Sequence, residues 1–284
     1  MKKIITLALC VLCCTVVQAQ QKEKSLLIRT QDGWSIASVY LPARPEKKTV
    51  LLLHDIGKNH KAFSSFMEKL SARGMGYLAL DLRGHGGSTK EGIYTSFAKE
   101  GVDNEYNKMA RDVDAAMEYL KSQGVAETDI MWVGVGMGAN VAAKAASLWP
   151  DIAGLALLTP VTNFRDVLAI PALRVYKGLV FIAAAADDKK TFLEASVMRN
   201  VAFLNSGEGN VTFATAYDKK GHELLDSWVT PELLQWLQTP QKPPVAPDII
   251  DIQVEEDPAP YTSYERIEAS GTEEALVPSV LQMN

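Results

Sequence analysis

The sequence predicts an α/β protein with a mainly parallel β-sheet, an antiparallel N-terminal hairpin and helices on both faces. Short, wholly apolar runs such as residues 49–53 and 130–135 are typical of strands that are buried on both sides. Segments with apolar residues at helical spacing, such as 109–120, lie between these runs. An alternation of strand and helix produces a parallel sheet that is covered on both faces.

The chain begins its folded part with two β-rich segments, residues 25–30 and 35–41, joined by Gln31-Asp32-Gly33-Trp34. A short polar connection that contains Asp-Gly between two such segments predicts a hairpin. Because a hairpin joins antiparallel strands, we expect it at one edge of the sheet.

The remaining elements follow in alternation. Apolar runs predict strands at 49–53, 75–80, 130–135, 152–158, 178–184 and 211–216, and helical spacing predicts helices at 63–72, 109–120, 139–148 and 231–237. Residues 159–177 form a short connection that either covers a ligand pocket or only closes the sheet edge, with Phe164, Leu168, Ile170, Pro171 and Leu173 as its apolar side chains.

Residues 1–19 have the three parts of a signal peptide. Two lysines at positions 2–3 precede an almost unbroken apolar run at 4–17, and Val17-Gln18-Ala19 offers small residues for cleavage. The run is shorter than the roughly 18 residues that a bilayer-spanning helix needs. We therefore expect an exported protein, periplasmic or secreted, without a stable membrane span after cleavage. All three cysteines lie at positions 10–14, so the mature chain has no disulfide. The residues before these cysteines fit a lipoprotein signal poorly, which leaves a lipid anchor as the less favoured alternative to a free exported chain.

The C-terminal segment 241–284 differs from the rest in composition. It carries nine acidic and two basic residues and six prolines, whereas the whole chain has a formal net charge of −5. Such a segment cannot support a second core, so we expect an extended or disordered tail after a single domain at 20–240. The tail is either only solvated or a binding segment for a protein partner.

The overall charge excludes some classes of function. With 29 basic and 34 acidic residues, the chain has no dense basic field that would displace counterions from phosphates, so we expect no nucleic-acid partner. Hydrophobic residues make up 47% of the chain, which is ordinary for a globular protein.

Functional groups in a parallel sheet lie in the loops at the carboxyl ends of the strands. Four such loops are informative: residues 54–57 read HDIG, residues 81–88 read DLRGHGGS, residues 134–138 read GVGMG, and residues 221–225 read GHELL. Asp187 and Asp188 follow the strand expected at 178–184.

In this order and spacing, these motifs resemble the α/β-hydrolase fold over roughly residues 25–237. The resemblance is closest to small bacterial serine hydrolases of the dienelactone-hydrolase and serine-aminopeptidase kind. Residues 54–57 look like the family's HG oxyanion loop, with Asp55 where the family usually has glycine. Residues 81–88 look like its DxRGHGxS motif. The resemblance implies a hydrolase that needs no cofactor.

The central motif of that family is G-x-S-x-G, a sharp strand-to-helix turn that presents a nucleophilic serine. Here the serine position holds Gly136. Because glycine has no side chain, no acyl-enzyme can form at this position. Its neighbours from Val135 to Asn140 supply no activated oxygen or thiol.

The resemblance implies roles for the other site residues. His222 corresponds to the general base, and Asp188 to the carboxylate that orients it, with Asp187 as the alternative. The backbone N–H groups of Ile56 and Met137 correspond to the oxyanion hole, beside a helix N-terminus that favours anions.

The other histidines have simpler interpretations. We expect His54 to be a structural hydrogen-bonding residue, His85 to shape its loop, and His60 to be exposed. The four histidines lie in different loops without the spacing of metal ligands, so no metal site is predicted.

Three hypotheses about function follow. The first is a catalytically degenerate hydrolase that uses the remnant of the active-site pocket for binding. Its ligand would be either a small molecule, such as a carboxylate or an ester, or a protein partner. The second is a weak or altered hydrolase in which His222 and Asp188 activate a water molecule in the space above Gly136. The third is an exported scaffold whose acidic tail meets a partner.

Overall fold

The computed structural model of the protein describes residues 22–239. The expected signal peptide at 1–19 and the acidic tail at 241–284 lie outside the described residues, so the predictions for them stay predictions. Between residues 22 and 239, the helices are all too short or too polar to cross a membrane.

Eight strands form one twisted layer at the centre of the molecule. In chain order they are β1 Lys24–Arg29, β2 Ser35–Leu41, β3 Thr49–Leu53, β4 Gly76–Leu80, β5 Ile130–Val135, β6 Gly154–Leu158, β9 Val180–Ala185 and β10 Val211–Ala216. Across the sheet the order is β1-β2-β4-β3-β5-β6-β9-β10. Two further strands, β7 Asn163–Phe164 and β8 Val167–Leu168, form a separate small hairpin.

The strand directions confirm the predicted fold class. β1 pairs antiparallel with β2, and β2 antiparallel with β4, whereas the six strands from β4 to β10 in the sheet order are parallel to one another. The carboxyl ends of the parallel strands therefore meet at one edge, where the four informative loops lie.

Within residues 22–239, seven α-helices accompany the sheet: α1 Ser64–Ala72, α2 Glu105–Lys108, α3 Ala110–Ser122, α4 Met137–Ala146, α5 Ile170–Leu173, α6 Lys189–Ser206 and α7 Val229–Trp236. The buried side chains of α1 and α7 pack against one face of the sheet, and those of α3 to α6 against the other. A 3-10 helix at His60–Phe63 precedes α1, and another at Gly221–Asp226 precedes α7. Helices thus cover both faces, as predicted.

The sequence pattern missed the longest helix, α6, which has 18 residues. Its inward positions are mostly small, with Ala195, Met198 and Ala202 buried, whereas Leu193 and Leu204 are exposed. Apolar residues on both sides remove the one-sided period by which an amphipathic helix is recognised. The packing of α6 against β9 and β10 decides its conformation instead.

A buried ion-pair network holds the loop that follows β4. The guanidinium group of Arg83 is fully buried and pairs with Asp112, also fully buried, and with Asp32 and Glu105. Asp112 also accepts the backbone N–H of Arg83 at 2.9 Å. Burying these charges is tolerable only because each is paired, and the network ties the loop at 81–88 to α3 and to the N-terminal hairpin.

Candidate functional site

The turn between β5 and α4 has the geometry of a nucleophile elbow. Gly136 has φ +53° and ψ −116°, a conformation that strains any residue with a side chain. The turn is tight, because a Cβ atom on Gly138 would collide with the backbone of Leu53 and His54. The residue at position 136 is therefore presented as the serine of a hydrolase would be, but it carries no hydroxyl.

The two amides expected to form the oxyanion hole converge on one oxygen, and that oxygen belongs to the protein itself. Asp55 Oδ1 accepts hydrogen bonds from the N–H of Ile56 at 2.7 Å and from the N–H of Met137 at 2.8 Å. Met137 is the first residue of α4, so the carboxylate also lies at a helix N-terminus that favours negative charge. Asp55 thus fills the place in which a substrate oxyanion would be stabilised.

The Asp55 carboxylate also takes the space that a side chain at position 136 would need. A Cβ atom built on Gly136 would lie within 2.6 Å of Asp55 Cγ, Oδ1 and Oδ2, closer than real Cβ contacts come. The aspartate in the first loop and the glycine in the elbow therefore fit each other, since the Asp55 carboxylate in this position leaves no room for a side chain at position 136. The second carboxylate oxygen, Oδ2, accepts no hydrogen bond among residues 22–239.

His222 reaches this site from the 3-10 helix before α7. Its Nε2 accepts the backbone N–H of Asp55 at 3.2 Å, and its ring packs edge-on against Phe63 at 4.7 Å. Burial, and secondly the positive charge of Lys58, lower the pKa of His222 to about 4. The ring is therefore neutral at pH 7, with its proton on Nδ1, since Nε2 is an acceptor.

The pairing of His222 with Asp188, which the resemblance implied, is not formed in the structure. Asp188 is the N-cap of α6: it accepts the N–H of Thr191 at 3.3 Å and the Thr191 hydroxyl at 3.0 Å. Within the described part of the chain, residues 22–239, the buried Nδ1 of His222 has no hydrogen-bond partner. Asp187 is exposed and does not pair with His222 either. Of the expected catalytic groups, the structure brings together Gly136, His222 and the two amides, and leaves the acid outside.

His54 and His85 are held by the backbone of their loops. His54 Nδ1 donates to the carbonyl of Asp55 at 2.7 Å, and its Nε2 accepts the N–H of Leu82 at 3.0 Å. Burial is the main reason why the pKa of His54 falls to about 3. His85 Nδ1 donates a hydrogen bond to the carbonyl oxygen of Arg83 at 3.0 Å, and its ring stacks on Tyr94. Both residues have the structural contacts that the sequence analysis expected.

His60 was expected to be merely exposed, and this was wrong. Its Nδ1 lies 2.6 Å from Asp81 Oδ1, and its side chain is only 22% exposed. Asp81 begins the DxRGHGxS-like motif, so a polar role for its side chain could be read from the sequence. That His60 is the partner of Asp81 could not be read from the sequence, because the two residues belong to different loops that only the sheet brings together.

The apolar side chains of the short connection at 159–177 lie in different surroundings. Leu173 is buried in the core, and Phe164 packs edge-on against Tyr106. Leu168 and Pro171 line a separate cavity of about 360 Å³ next to Lys144. Within residues 22–239, no three or more His, Cys, Asp or Glu side chains are grouped so as to hold a metal ion.

The sequence over residues 44–205 matches a protein family described as serine aminopeptidase, S33. The match covers more than half of the chain. The chain belongs to this family. The matched region includes Asp55, Gly136 and Asp188 and ends before His222, so membership of the S33 family does not by itself assign the residues of this site. No curated protein matches the chain.

Solved structures with the same fold are enzymes of the α/β-hydrolase type. An esterase from Pyrococcus furiosus has a TM-score of 0.62 at 19% identity and covers 76% of this chain and 89% of its own. An esterase from Exiguobacterium antarcticum has a TM-score of 0.57 at 16% identity, over 76% and 100% of the two chains. A dienelactone hydrolase from Anabaena variabilis has a TM-score of 0.59 at 13% identity, over 77% and 96%. At these identities the likeness establishes the fold alone.

Proposed function

We propose that this S33-family chain is an exported, periplasmic or secreted α/β-hydrolase homologue that has lost serine catalysis and binds a small ligand above the elbow. The observation that carries the proposal is the Asp55 carboxylate, which lies in the oxyanion hole over a glycine. An acyl substrate would find neither a hydroxyl to attack it nor a free pair of amides to stabilise its oxyanion. The proposed export depends on residues 1–19 alone.

The site favours a ligand with hydrogen-bond donors over the carboxylate or ester suggested by the sequence. A ligand carboxylate would meet the negative charge of Asp55 and would have to displace two charge-assisted hydrogen bonds. Asp55 Oδ2 lacks a hydrogen bond within the described residues, and Asp55 is only partly buried. An amine or hydroxyl that approaches the elbow can donate to this oxygen.

The ligand part of the proposal is tested by thermal unfolding with butylamine and butyrate, a size-matched pair. We expect butylamine to raise the Tm of the wild-type chain but not that of Asp55→Gly, and butyrate to raise the Tm of Asp55→Gly but not that of the wild type. The substitution removes the internal carboxylate and frees the amides of Ile56 and Met137. Equal stabilisation of both chains by butyrate would contradict this charge preference.

The catalytic part is tested with a fluorophosphonate probe, which labels activated serines. The wild type and Gly136→Ser should stay unlabelled, the latter because Asp55 occupies the space of the new side chain. The double variant Asp55→Gly/Gly136→Ser should gain labelling at position 136. Labelling of the wild-type chain would overturn the proposal.

A second candidate, weak hydrolysis by a water molecule that His222 activates, is favoured by one observation. The low pKa of His222, which results mainly from burial, keeps the ring a free base at neutral pH. The ring would act without an orienting carboxylate, since Asp188 caps α6. Turnover of p-nitrophenyl acetate that falls in His222→Ala would support this candidate, and equal rates would remove it.

A further inference from the structure

We infer a second small-molecule site, separate from the elbow, for an apolar molecule with a hydroxyl group such as a phenol. The site is a cavity of about 750 Å³ on the N-terminal hairpin, within the size range of ligand pockets. It is lined by residues of β1 and β2, by the loop around His60 and by Gly86 and Gly87, and it includes neither Gly136 nor His222.

The floor of this cavity is an apolar face of the hairpin. Leu27 lies opposite Ala37 and Ser25 opposite Val39 in the β1–β2 register, so these four side chains share one face. Leu27 is 69% exposed, so most of its side chain is accessible to a ligand on this face. An aromatic or aliphatic body that lay on this face would remove apolar surface from water.

The polar wall is a carboxylate–imidazole pair that is already in place. Asp81 has only 3% of its side chain exposed and accepts three hydrogen bonds: from the His60 backbone N–H at 2.8 Å, from His60 Nδ1 at 2.6 Å and from the Gly87 N–H at 2.7 Å. The carboxylate thus joins the two loops that enclose the cavity and fixes the imidazole ring between them.

This pairing determines what the wall offers to a ligand. Since Asp81 accepts at Nδ1, the tautomer that fits this contact carries its proton on Nδ1 and leaves Nε2 as an acceptor. Among residues 22–239, no hydrogen bond is made through Nε2 of His60. A hydroxyl group can donate to Nε2 while the rest of the ligand covers Leu27 and Ala37, and Lys61 adds positive charge to the same wall.

The test compares p-cresol, a phenol that stays protonated at neutral pH, with p-methylanisole, which has the same ring but no donor. Binding to the full chain is followed by the phenol absorbance and by the NMR signals of the His60 ring. We expect saturable binding of p-cresol and binding of p-methylanisole at least about 10-fold weaker, the equivalent of one hydrogen bond. Equal affinities, or no saturable binding of p-cresol, would overturn the inference.

Two substitutions locate the bound phenol. His60→Ala removes the acceptor, and Leu27→Glu charges the floor at an exposed position whose substitution leaves the core intact. Each should weaken p-cresol binding about 10-fold. His222→Ala is the matched control and should leave the affinity unchanged. Loss of binding in His222→Ala alone would place the phenol at the elbow, which would overturn this inference and leave the proposed function standing.

Discussion

Placing a side chain at position 136 while Asp55 is present should lower the free energy of unfolding. Most of this reduction should be absent when residue 55 is glycine. The two positions are 81 residues apart in the sequence but compete for one volume, because a Cβ atom on Gly136 would overlap the Asp55 carboxylate. Gly136→Ser therefore has two effects: strain at φ +53°, and displacement of Asp55 from the two amides.

The magnitudes separate these effects. A residue with a side chain at this φ and ψ costs about 1–3 kcal/mol in either background. Loss of two hydrogen bonds to a charged group adds about 3 kcal/mol, the low end of the range for two bonds, because Asp55 is partly exposed and regains hydration. This second contribution is absent once residue 55 is glycine. We thus expect a coupling free energy of about 3 kcal/mol between the two substitutions, large for residues in contact.

Urea unfolding of the wild type, the two single variants and the double variant measures this coupling. Asp55→Asn is the matched control, since it retains the side-chain volume but replaces charged hydrogen bonds with neutral ones of about half the strength. Its coupling with Gly136→Ser should be about 1.5 kcal/mol. If Gly136→Ser costs the same within about 0.5 kcal/mol whether residue 55 is Asp or Gly, the reasoning fails.

Three further predictions follow from the geometry. Asp112→Ala should destabilise the protein by about 3–5 kcal/mol in urea unfolding, because it leaves Arg83 buried without its fully buried partner; a change under about 1 kcal/mol would show that the loop relaxes freely. His222 has a pKa of about 4 when folded and about 6.5 when unfolded, so the unfolded state binds more protons between these values and stability falls as the pH falls. His222→Gln should therefore reduce the stability loss between pH 7 and pH 4.5 by about 2 kcal/mol, and an unchanged loss would contradict the buried neutral ring. Asp188→Ala should cost about 1 kcal/mol as a lost helix cap and leave the NMR signals of the His222 ring unmoved, whereas a shift of those signals would show that the two residues do interact.

Much of the framework could be predicted from the sequence because it depends on local patterns. The apolar runs located all six parallel strands of the sheet, and the turn signal at 31–34 located the hairpin. Helix α6 could not be located in this way. It is apolar on two sides, and its conformation depends on strands that are brought beside it by the fold.

The candidate site, too, could be predicted only in part. Motif order placed Gly136, His222 and the amides of Ile56 and Met137 at one edge of the sheet, and the structure brings them together. The assignment of Asp188 as the partner of His222 depended on order along the chain. A carboxylate at that position can also cap the helix that follows, and the nearby Thr191 offers it two donors.

The amino-acid sequence by itself determined that position 136 has no nucleophile, since a missing hydroxyl is a matter of composition and no fold can restore it. It also determined the sheet, because strand periodicity and turn chemistry act over a few residues. Only the tertiary structure decided that Asp55 accepts the amides of Ile56 and Met137, that Asp188 caps a helix and that His60 pairs with Asp81. A polar side chain takes the rotamer in which its strongest donors or acceptors are satisfied, and for Asp55 and Asp81 some of those groups come from distant parts of the chain.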